Sequence, residues 1–409
     1  MILTTIVLVL VTNLATYSLA TGTIPWTGIR WGTGQFNVGT LQDSARLRDV
    51  YQLLLTRYIE PVDGHDLIEG ALKGMAEAVG DPYTFYMDPQ AYEEWDITLV
   101  GEYVGVGMVV EQIGDYVTVV SPMRGSPAER AGLRPKDRIV AVDGKDVTRV
   151  PSEIVAALIR GEKGTQVTLT IARGPEEDEE RFDVTLTREL IILESARSVM
   201  LYPSEGIGYL QITDFSRKTV EQFDAALADL RSRGLKALVL DLRNNGGGLL
   251  DVCTTLAGNF VGEGVILQRI GRDGNPNVVS GSGKEPLGVP LVVLVNEGSA
   301  SASEILAGAI QDNGVGTLVG TVTFGKGLIM TPYELGGGSV LTVTTERWLT
   351  PNGEHITNKG ITPDVVVELP EVGLDEEPLS WDDPDDPRDT QLRRALEILR
   401  DALAQGNEG

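Results

Sequence analysis

The sequence predicts a multidomain chain that combines α+β and α/β architecture, and three changes of pattern along it indicate this. Apolar residues repeat at helical spacing from Leu41, short β-branched runs replace them from about Gly101 to Arg173, and longer strand and helix stretches alternate beyond Ser204. The 409 residues suffice for about two to four domains. We therefore divide the chain into a helical module (41–98), a small β domain (99–190), an α/β domain (191–368) and an acidic linker with a C-terminal helix (369–409).

The first 20 residues are uncharged and mostly apolar, and residues 21–40 form a linker rich in Gly and Thr. A stretch of about 20 apolar residues is long enough to span a bilayer as a helix. A cleaved signal peptide is the second interpretation, because Ser18-Leu19-Ala20 is a small-x-small site. A buried core helix is the third. We expect export, with the protein in the periplasm or cell envelope, either anchored in the membrane or secreted.

In the helical module, which begins at Leu41, one face of the first predicted helix carries Leu47, Val50, Tyr51, Leu54 and Tyr58. A second helix is predicted over residues 66–79, where Gly80-Asp81-Pro82 ends it. The apolar stripe of the first helix needs a partner, which is either its own core or another subunit.

The small β domain contains three β-branched runs, at residues 116–120, 138–142 and 166–171, and a helical pattern at 151–160. Five consecutive acidic residues at 176–180 predict a solvated hairpin tip. These elements are sufficient for a compact domain of its own.

The α/β domain contains two almost wholly apolar runs, at 237–242 and 290–295, as expected for strands covered on both faces. A strand at 206–212, a helix at 219–233, a small-residue helix at 303–312 and a strand at 339–349 complete the pattern. The acidic stretch at 371–389 predicts a linker, and the pattern at 391–403 predicts a short final helix.

Composition excludes several classes of function. The chain has 34 Lys and Arg against 59 Asp and Glu, a formal net charge of −25, which disfavours nucleic-acid binding. Its single cysteine, Cys253, excludes an internal disulfide framework and a cysteine-built zinc site. With only His65 and His355, little remains for histidine-based chemistry. We therefore expect no metal and no cofactor.

The candidate nucleophiles are three serines, Ser299, Ser301 and Ser303, which follow a buried strand and open a helix. A hydroxyl at this place lies where N–H groups of the helix N-terminus can bind a developing oxyanion. Each of the three is also a good helix N-cap, and the local pattern does not distinguish between these roles.

A serine nucleophile needs a base, and the sequence offers His65, His355 or a lysine held neutral by burial. Lys326 is the lysine candidate, because it lies between two glycines among apolar residues with no carboxylate near it in sequence. The alternative is an ordinary exposed loop lysine. Both histidines are expected on the surface.

Two glycine-rich segments resemble nucleotide-binding motifs, but neither fits. In residues 320–326 the pattern G-x-x-x-x-G-K is followed by Gly327 instead of Ser or Thr, and no helix is predicted after it. Gly246, Gly247 and Gly248 lack the final glycine of a dinucleotide turn. They predict free N–H groups for an anion or an oxyanion, or a plain turn from strand to helix.

In their order along the chain, these segments resemble the carboxyl-terminal processing (tail-specific) serine peptidases. The resemblance runs from about Leu41 to Glu368 and rests on an ordered set of motifs. These are Leu67-Ile-Glu-Gly-Ala-Leu-Lys-Gly-Met75 with Asp81-Pro82, Gly125-Ser-Pro-Ala-Glu-Arg-Ala-Gly-Leu133, Leu240-Asp-Leu-Arg-Asn-Asn245 with its glycines, Gly298-Ser-Ala-Ser-Ala-Ser-Glu-Ile305, Gly325-Lys-Gly327 and Gly360-Ile-Thr-Pro-Asp364.

The resemblance implies a Ser–Lys dyad in a protease domain. By position, Ser301 is the nucleophile and Lys326, 25 residues on, is the base. The implied oxyanion donors are the backbone N–H groups of Gly247 and Ala302. Two departures from the family are visible: Gly246 replaces a proline, and Met330 stands where many members have a glutamine that orients the lysine. Methionine cannot donate a hydrogen bond, so another residue orients Lys326 or activity is reduced.

The resemblance also implies that the small β domain is a PDZ domain that binds substrate C-termini. The segment Val104, Gly105, Val106 and Gly107 is expected to grip the free carboxylate, with the substrate added as a strand. Arg160 is a candidate for coupling peptide binding to the protease domain, or else a solvated residue at a helix end.

The implied partners are proteins or peptides with free C-termini, and a homodimer through the N-terminal helices is possible for this family. The alternative function, suggested by Met330, is an exported PDZ scaffold with an inactive or weakened protease domain. A trypsin-like PDZ protease is a more distant alternative, because the protease segment supplies no evident histidine base.

Overall fold

The computed structural model of the protein describes residues 38–370 and 383–406. The predicted membrane or signal segment, nearly all of the N-terminal linker and residues 371–382 of the acidic linker lie outside the described residues. Within the described ranges, none of the helices has the length and apolar character needed to cross a bilayer.

The first compact unit ends at Ala78 and contains helices α1 (Val38–Arg57) and α2 (Gly64–Glu77). The Asp63 carboxylate caps α2 by accepting the His65 N–H at 2.8 Å. Both predicted helices are therefore confirmed. The predicted stripe on α1 is largely exposed, with Leu47, Val50 and Tyr58 each more than half accessible to solvent.

The second unit begins at Val79 with strand β1 (Phe85–Met87) and helix α3 (Pro89–Val100). The sequence predicts a helical module over these residues. In the structure, β1 instead pairs antiparallel with residues 340–342, so it belongs to a sheet of the α/β domain. The three-residue run is too short to show a strand period, and its partner lies far away in sequence.

The small β domain follows as a five-stranded antiparallel sheet in the order β3-β4-β5-β7-β8, with β6 beside β5. A separate pair, β2 and β9, forms where the chain enters and leaves the domain, and the Leu193 N–H donates to the Gly101 carbonyl at 2.9 Å beside it. The predicted acidic hairpin tip is confirmed between β7 and β8. The elements are β2 (Glu102–Gly105), β3 (Met108–Ile113), β4 (Tyr116–Pro122), α4 (Pro127–Arg130), β5 (Arg138–Val142), β6 (Lys145–Asp146), α5 (Ser152–Ile159), β7 (Gln166–Arg173), β8 (Glu180–Thr187) and β9 (Glu189–Ile192).

The centre of the α/β domain is a six-stranded sheet in the order β10-β11-β12-β15-β16-β19, parallel except for β10. Every residue of β12 and β15 is buried, which confirms the prediction of strands covered on both faces. The elements up to β16 are β10 (Ala196–Tyr202), β11 (Ile207–Ile212), α6 (Thr219–Ser232), β12 (Ala237–Asp241), α7 (Leu250–Val261), β13 (Val265–Ile270), β14 (Pro276–Ser280), β15 (Leu291–Val295), α8 (Ala302–Asp312) and β16 (Thr317–Gly320).

The second sheet of this domain has the order β1-β18-β13-β14, with β17 also paired to β18. Helices α6, α7 and α8 share one apolar core with the central sheet, and the final helix covers the opposite face with Leu392, Leu396 and Leu399. The C-terminal helix is thus part of the α/β fold rather than an appendage after a linker. The remaining elements are β17 (Leu328–Glu334), β18 (Val340–Leu349), β19 (Val365–Val366) and α9 (Thr390–Gly406).

Candidate active site

Four loops that leave the carboxyl ends of parallel strands carry the candidate residues. Ligand and active sites of open α/β sheets lie at this edge, because the loops there leave the ends of neighbouring strands. We call the four loops together the catalytic edge: residues 213–217 after β11, 242–249 after β12, 296–301 after β15 and 321–327 after β16.

The loops after β12 and β15 are joined by side-chain amides and backbone. The Asn244 N–H donates to the Asn296 Oδ1 at 2.8 Å, and the Asn296 Nδ2 donates back to the Asn244 Oδ1 at 2.9 Å. The Ala300 N–H donates to the Asn245 carbonyl at 3.0 Å. The glycine-rich segment is therefore held against the serine cluster.

The three candidate serines differ sharply in their surroundings. Ser299 is fully buried, and its hydroxyl donates to the Leu242 carbonyl at 2.8 Å. Ser303 is also fully buried, and its hydroxyl donates to the Asn245 carbonyl at 2.9 Å. Ser301 is only partly buried. Two of the three hydroxyls thus hold the loops together, and Ser301 is the candidate that solvent or a substrate can reach.

The backbone of Ser301 is strained, with φ +56° and ψ −114°. A residue other than glycine in such a region costs about 1–3 kcal/mol and recurs at functional sites. Gly247 makes this turn possible, because a Cβ on that residue would lie 2.8 Å from the Ser301 Cβ and 3.0 Å from the Ala302 nitrogen. The close approach explains why glycine is required at position 247.

Glu304 links the serine turn to the lysine loop. Its fully buried carboxylate accepts the Ser301 N–H at 2.8 Å and the Lys326 N–H at 2.9 Å. It also accepts the Thr323 hydroxyl and the Gly325 N–H, both at 2.6 Å. Sequence reasoning missed this role of Glu304. The S-x-x-E spacing from Ser301, which is the pattern of a capping box, was the available signal.

Lys326 is partly buried, and burial lowers the pKa of its amine although the carboxylates of Glu304 and Asp81 partly offset that effect. Its Nζ lies 4.6 Å from the centroid of the Tyr83 ring. The Trp348 indole N–H donates to the Lys326 carbonyl at 3.0 Å and fixes the backbone of the loop. The alternative reading as an ordinary exposed lysine does not describe this environment.

The two expected oxyanion donors differ in the structure. Ala302 is the first residue of α8, where N–H groups have no acceptor inside the helix. The Gly247 N–H, in contrast, donates to the Asn245 Oδ1 at 2.9 Å. The expectation of a free N–H at Gly247 is therefore not met in this state, because the neighbouring asparagine accepts it within the loop.

An ion-pair network anchors the start of the glycine-rich loop, and sequence reasoning missed it. The guanidinium of Arg243 bonds to the buried carboxylates of Asp241 and Asp389, at 2.6 Å and 2.9 Å in the closest contacts. The Tyr209 hydroxyl donates to Asp241 at 2.5 Å. Burial disfavours the charge on Arg243, but the two carboxylates outweigh it and raise the pKa of the guanidinium. The loop is thus tied to the start of α9.

The remaining titratable candidates are less suited to act as the base. His65 and His355 are both exposed, and the His355 Nδ1 accepts the Thr357 N–H at 3.2 Å. Burial raises the pKa of the Cys253 thiol far above its usual range. Burial also raises the pKa of Asp214, in the loop after β11, to about 6. The described residues contain no group of three His, Cys, Asp or Glu side chains that could hold a metal ion.

The expected carboxylate-binding segment lies at a cleft between β3 and α5. A cavity of about 120 Å³ is lined by Gly105, Val106, Gly107 and Arg160, together with Tyr103, Met108, Val110, Ala156 and Ile159. Val104 does not line it, because it lies between Tyr103 and Gly105 on β2, where successive residues face opposite sides of the strand. Four of the five expected residues are therefore brought together.

Comparisons with known families match three separate parts of the chain. The family of S41 peptidases matches residues 206–367, the PDZ domain matches residues 118–173, and the N-terminal domain of the activating protease CtpB matches residues 32–91. These segments follow the order of the domains described above.

Individual proteins show the same similarity. The carboxy-terminal processing protease CtpA of Bacillus subtilis is 38% identical over 80% of this chain and 69% of its own length. A protein of Staphylococcus aureus named "Probable CtpA-like serine protease" is 37% identical over 80% of this chain and 65% of its length, so the chain spans about two thirds of these relatives. A solved structure, the photosystem II D1 C-terminal processing protease, is 33% identical over 79% of this chain and 86% of its own, with a TM-score of 0.47.

Proposed function

Because the chain belongs to peptidase family S41, the carboxy-terminal processing serine proteases with a PDZ domain, we propose that it cleaves protein tails with Ser301 as nucleophile and Lys326 as general base. One observation carries this proposal: the backbone N–H groups of Ser301 and Lys326 meet on the single buried carboxylate of Glu304. A shared acceptor holds the backbones of the two residues close together, which supports the pairing of their side chains as nucleophile and base.

The proposed reaction begins with Lys326 in its neutral form, which burial favours. The amine takes the proton of the Ser301 hydroxyl, and the oxygen attacks the carbonyl carbon of the scissile peptide bond. The resulting ammonium then returns a proton to the leaving amine, which leaves an acyl-enzyme. Water, deprotonated by the same lysine, releases the new C-terminus and restores the serine.

The tetrahedral intermediates need donors for their negative oxygen, and we assign the N–H groups of Ala302 and Gly247. Each such donor is worth about 10²–10³ in kcat in comparable sites. For Gly247 to contribute, its N–H must leave the Asn245 side chain that accepts it in the structure. Substrate binding would supply the competing acceptor.

We assign recognition of the substrate C-terminus to the PDZ cleft. Among the described strands, β3 has β4 as its one neighbour, so its other edge is open toward α5 for an added peptide strand. Gly105, Val106 and Gly107 line the cavity where the chain enters β3, and we assign their N–H groups to the substrate carboxylate. Arg160 closes the cleft at the end of α5, with its guanidinium 5.8 Å from the centroid of the Tyr103 ring.

The main test is mass spectrometry of a tagged polypeptide with an unstructured tail, incubated with wild-type protein and variants. We expect Ser301→Ala and Lys326→Ala each to abolish cleavage and Ser301→Ala to abolish labelling by a serine-directed probe. Ser280→Ala and Lys284→Ala change exposed residues of the same domain and serve as matched controls. Cleavage that persists in Ser301→Ala or in Lys326→Ala contradicts the dyad.

We also propose that the protein works outside the cytoplasm, in the periplasm or cell envelope. The support is the uncharged apolar stretch of the first 20 residues, acting as an anchor or as a signal peptide. Fractionation of cells that express the full chain tests this proposal. Recovery in the membrane or envelope fraction is expected, whereas recovery in the cytosol with an intact Met1 contradicts it.

A homodimer through the N-terminal helices is the last part of the proposal. The apolar residues Leu47, Val50, Leu53 and Tyr58 of α1 and its end are each more than half exposed, an arrangement that a second copy would cover. Light scattering should give the mass of a dimer for the wild-type protein and of a monomer for Leu47→Glu with Leu53→Glu. A wild-type monomer at micromolar concentration would contradict this assignment.

A further inference from the structure

A general base must be held in a fixed orientation by neighbouring groups. The residue at position 330 does not orient the amine of Lys326. Met330 lies on β17, paired with Thr344 of β18 beside a bulge. Its thioether donates no hydrogen bond and accepts only weakly. Because the glutamine that the family resemblance implies at this position is missing, the groups that do surround the amine become informative.

The turn before β1 lies beside the amine. The Tyr83 ring is partly buried, and its centroid is 4.6 Å from the Lys326 Nζ, within the range of a cation–π contact. Among the described residues, the carboxylates that act on the amine are those of Glu304 and Asp81. Glu304 already accepts four hydrogen bonds from the two loops, so the turn supplies the separate aromatic and anionic neighbours.

Hydrogen bonds hold this turn rigidly. The Asp81 carboxylate accepts the Tyr83 N–H at 3.1 Å and the Thr84 hydroxyl at 2.8 Å. It also accepts the Thr344 hydroxyl at 2.6 Å, while the Thr344 N–H donates to the Thr84 hydroxyl at 3.1 Å. Thr344 is the partner of Met330 across the strand pair, so the turn is fixed to the strand pair that contains position 330.

We propose that the turn of Asp81 and Tyr83 positions Lys326 in this chain. It has the role that a glutamine at position 330 would otherwise have. Tyr83 offers the face of its ring to the lysine, and Asp81 both shapes the turn and adds a negative charge near the amine. The inference rests on the proposed dyad. Tyr83 acts through the lysine that it contacts and Asp81 through the turn that it shapes, so both are positioning residues.

The first experiment compares two replacements of Tyr83 in the cleavage assay. Tyr83→Leu removes the ring face, and we expect kcat to fall about 10- to 100-fold with KM nearly unchanged, because a misplaced base slows the chemical step. Tyr83→Phe keeps the ring and should retain activity within about twofold of wild type. Adding Met330→Gln to Tyr83→Leu should recover part of the lost kcat, since the amide oxygen of glutamine can accept a hydrogen bond from the lysine.

The second experiment measures the effect of the charge. Asp81→Asn keeps an acceptor for Thr84 and Thr344 but removes the negative charge, so the pKa of Lys326 should fall and the acid limb of kcat/KM should move to lower pH. Asp88→Asn is the matched control, because it makes the same change in a residue that caps α3 instead. The limb of that variant should stay where it is in the wild type.

A readout independent of activity separates this inference from the dyad itself. In Ser301→Ala protein with ¹³C-methylated lysines, the Lys326 signal, assigned by its loss in Lys326→Arg, should titrate at lower pH when Asp81→Asn or Tyr83→Leu is added. An unchanged titration in both variants, or equal kcat for Tyr83→Leu and Tyr83→Phe, overturns the positioning role. Absence of cleavage by the wild-type protein would overturn the dyad, and the titration would still report on the turn.

Discussion

The catalytic edge and the PDZ cleft differ in whether their backbone N–H groups already have acceptors within the protein. At the catalytic edge, the N–H groups of Ser301, Gly325 and Lys326 all donate to one buried carboxylate, and the glycine-rich loop is tied down by further hydrogen bonds. In the PDZ domain, the edge of β3 toward α5 has no strand neighbour in the described chain. The proposed chemistry needs groups that are fixed in advance, whereas the proposed recognition of tails needs a strand edge to which a peptide can add.

The largest effect is expected from a change that loosens the catalytic edge. Glu304→Gln should lower kcat about 10²-fold or more, because an amide presents N–H groups to donors that need an acceptor and the two loops lose their common partner. Steady-state kinetics should show little change in KM. Glu297→Gln changes an exposed carboxylate in the loop after β15, which accepts the Thr321 hydroxyl at 3.0 Å, and should leave kcat unaltered. Wild-type kcat in Glu304→Gln would refute the linking role.

The next effect tests how far that rigidity extends toward α9. Asp389→Ala should lower the free energy of unfolding by about 3–5 kcal/mol, because it leaves Arg243 buried with one of its two carboxylates missing. The comparison is Arg400→Ala, which removes an exposed ion pair between α9 and Glu205 and should cost about 0–1 kcal/mol. Denaturant unfolding measures both. Equal losses would mean that the buried network does not anchor the helix.

A smaller effect is expected on the open side. Arg160→Ala should raise KM for a tail with a free C-terminus about tenfold and leave kcat nearly constant, because a charged contact near the carboxylate is lost. Amidating the C-terminus of the substrate should raise KM for the wild type and make the two proteins alike. Arg149→Ala removes an exposed PDZ arginine paired with Asp115 and is the control. The same KM for free and amidated tails would argue against carboxylate capture.

The smallest effect concerns the stability of the fold. Burial lowers the pKa of Lys326 in the folded state, so the unfolded chain binds more protons between that lowered pKa and 10.5, and stability rises with pH across this window. At neutral pH, Lys326→Met should therefore raise the melting temperature while abolishing activity, with a gain that shrinks as pH rises. Lys284→Met, an exposed control, should show no such trend. A gain that grows with pH would contradict burial as the cause.

Much of the fold follows from local pattern, and the errors have physical causes. The fully buried strands β12 and β15 and the helices of the N-terminal unit were predictable, because these strands are almost wholly apolar and the apolar residues of the helices recur at helical spacing. Strand β1 and the packing of α9 were not, since both depend on partners far away in sequence. Contacts between distant residues cannot be predicted from the pattern of a short stretch of sequence.

The candidate site divides in the same way. The position of Ser301 and Lys326 came from the order of motifs, whereas the structural roles of Ser299 and Ser303 appear only when their hydroxyls are seen to donate to backbone carbonyls. Val104, expected with its neighbours at the PDZ cleft, does not line the cavity, because it lies on the opposite side of β2 from Tyr103 and Gly105. Asp81 and Tyr83 lie more than 240 residues before Lys326, so no spacing rule connects them.

The meeting of Gly101 and Leu193 has a consequence for how such proteins diversify. The PDZ domain departs from the α/β domain after α3 and returns before β10, and its two ends are hydrogen-bonded to each other. It is therefore an inserted domain whose two ends lie side by side. A short connecting segment or another domain could replace it without disturbing the strands around it. The PDZ domain and the α/β domain are thus separable modules, and one recombination event can exchange the first while the catalytic edge of the second stays the same.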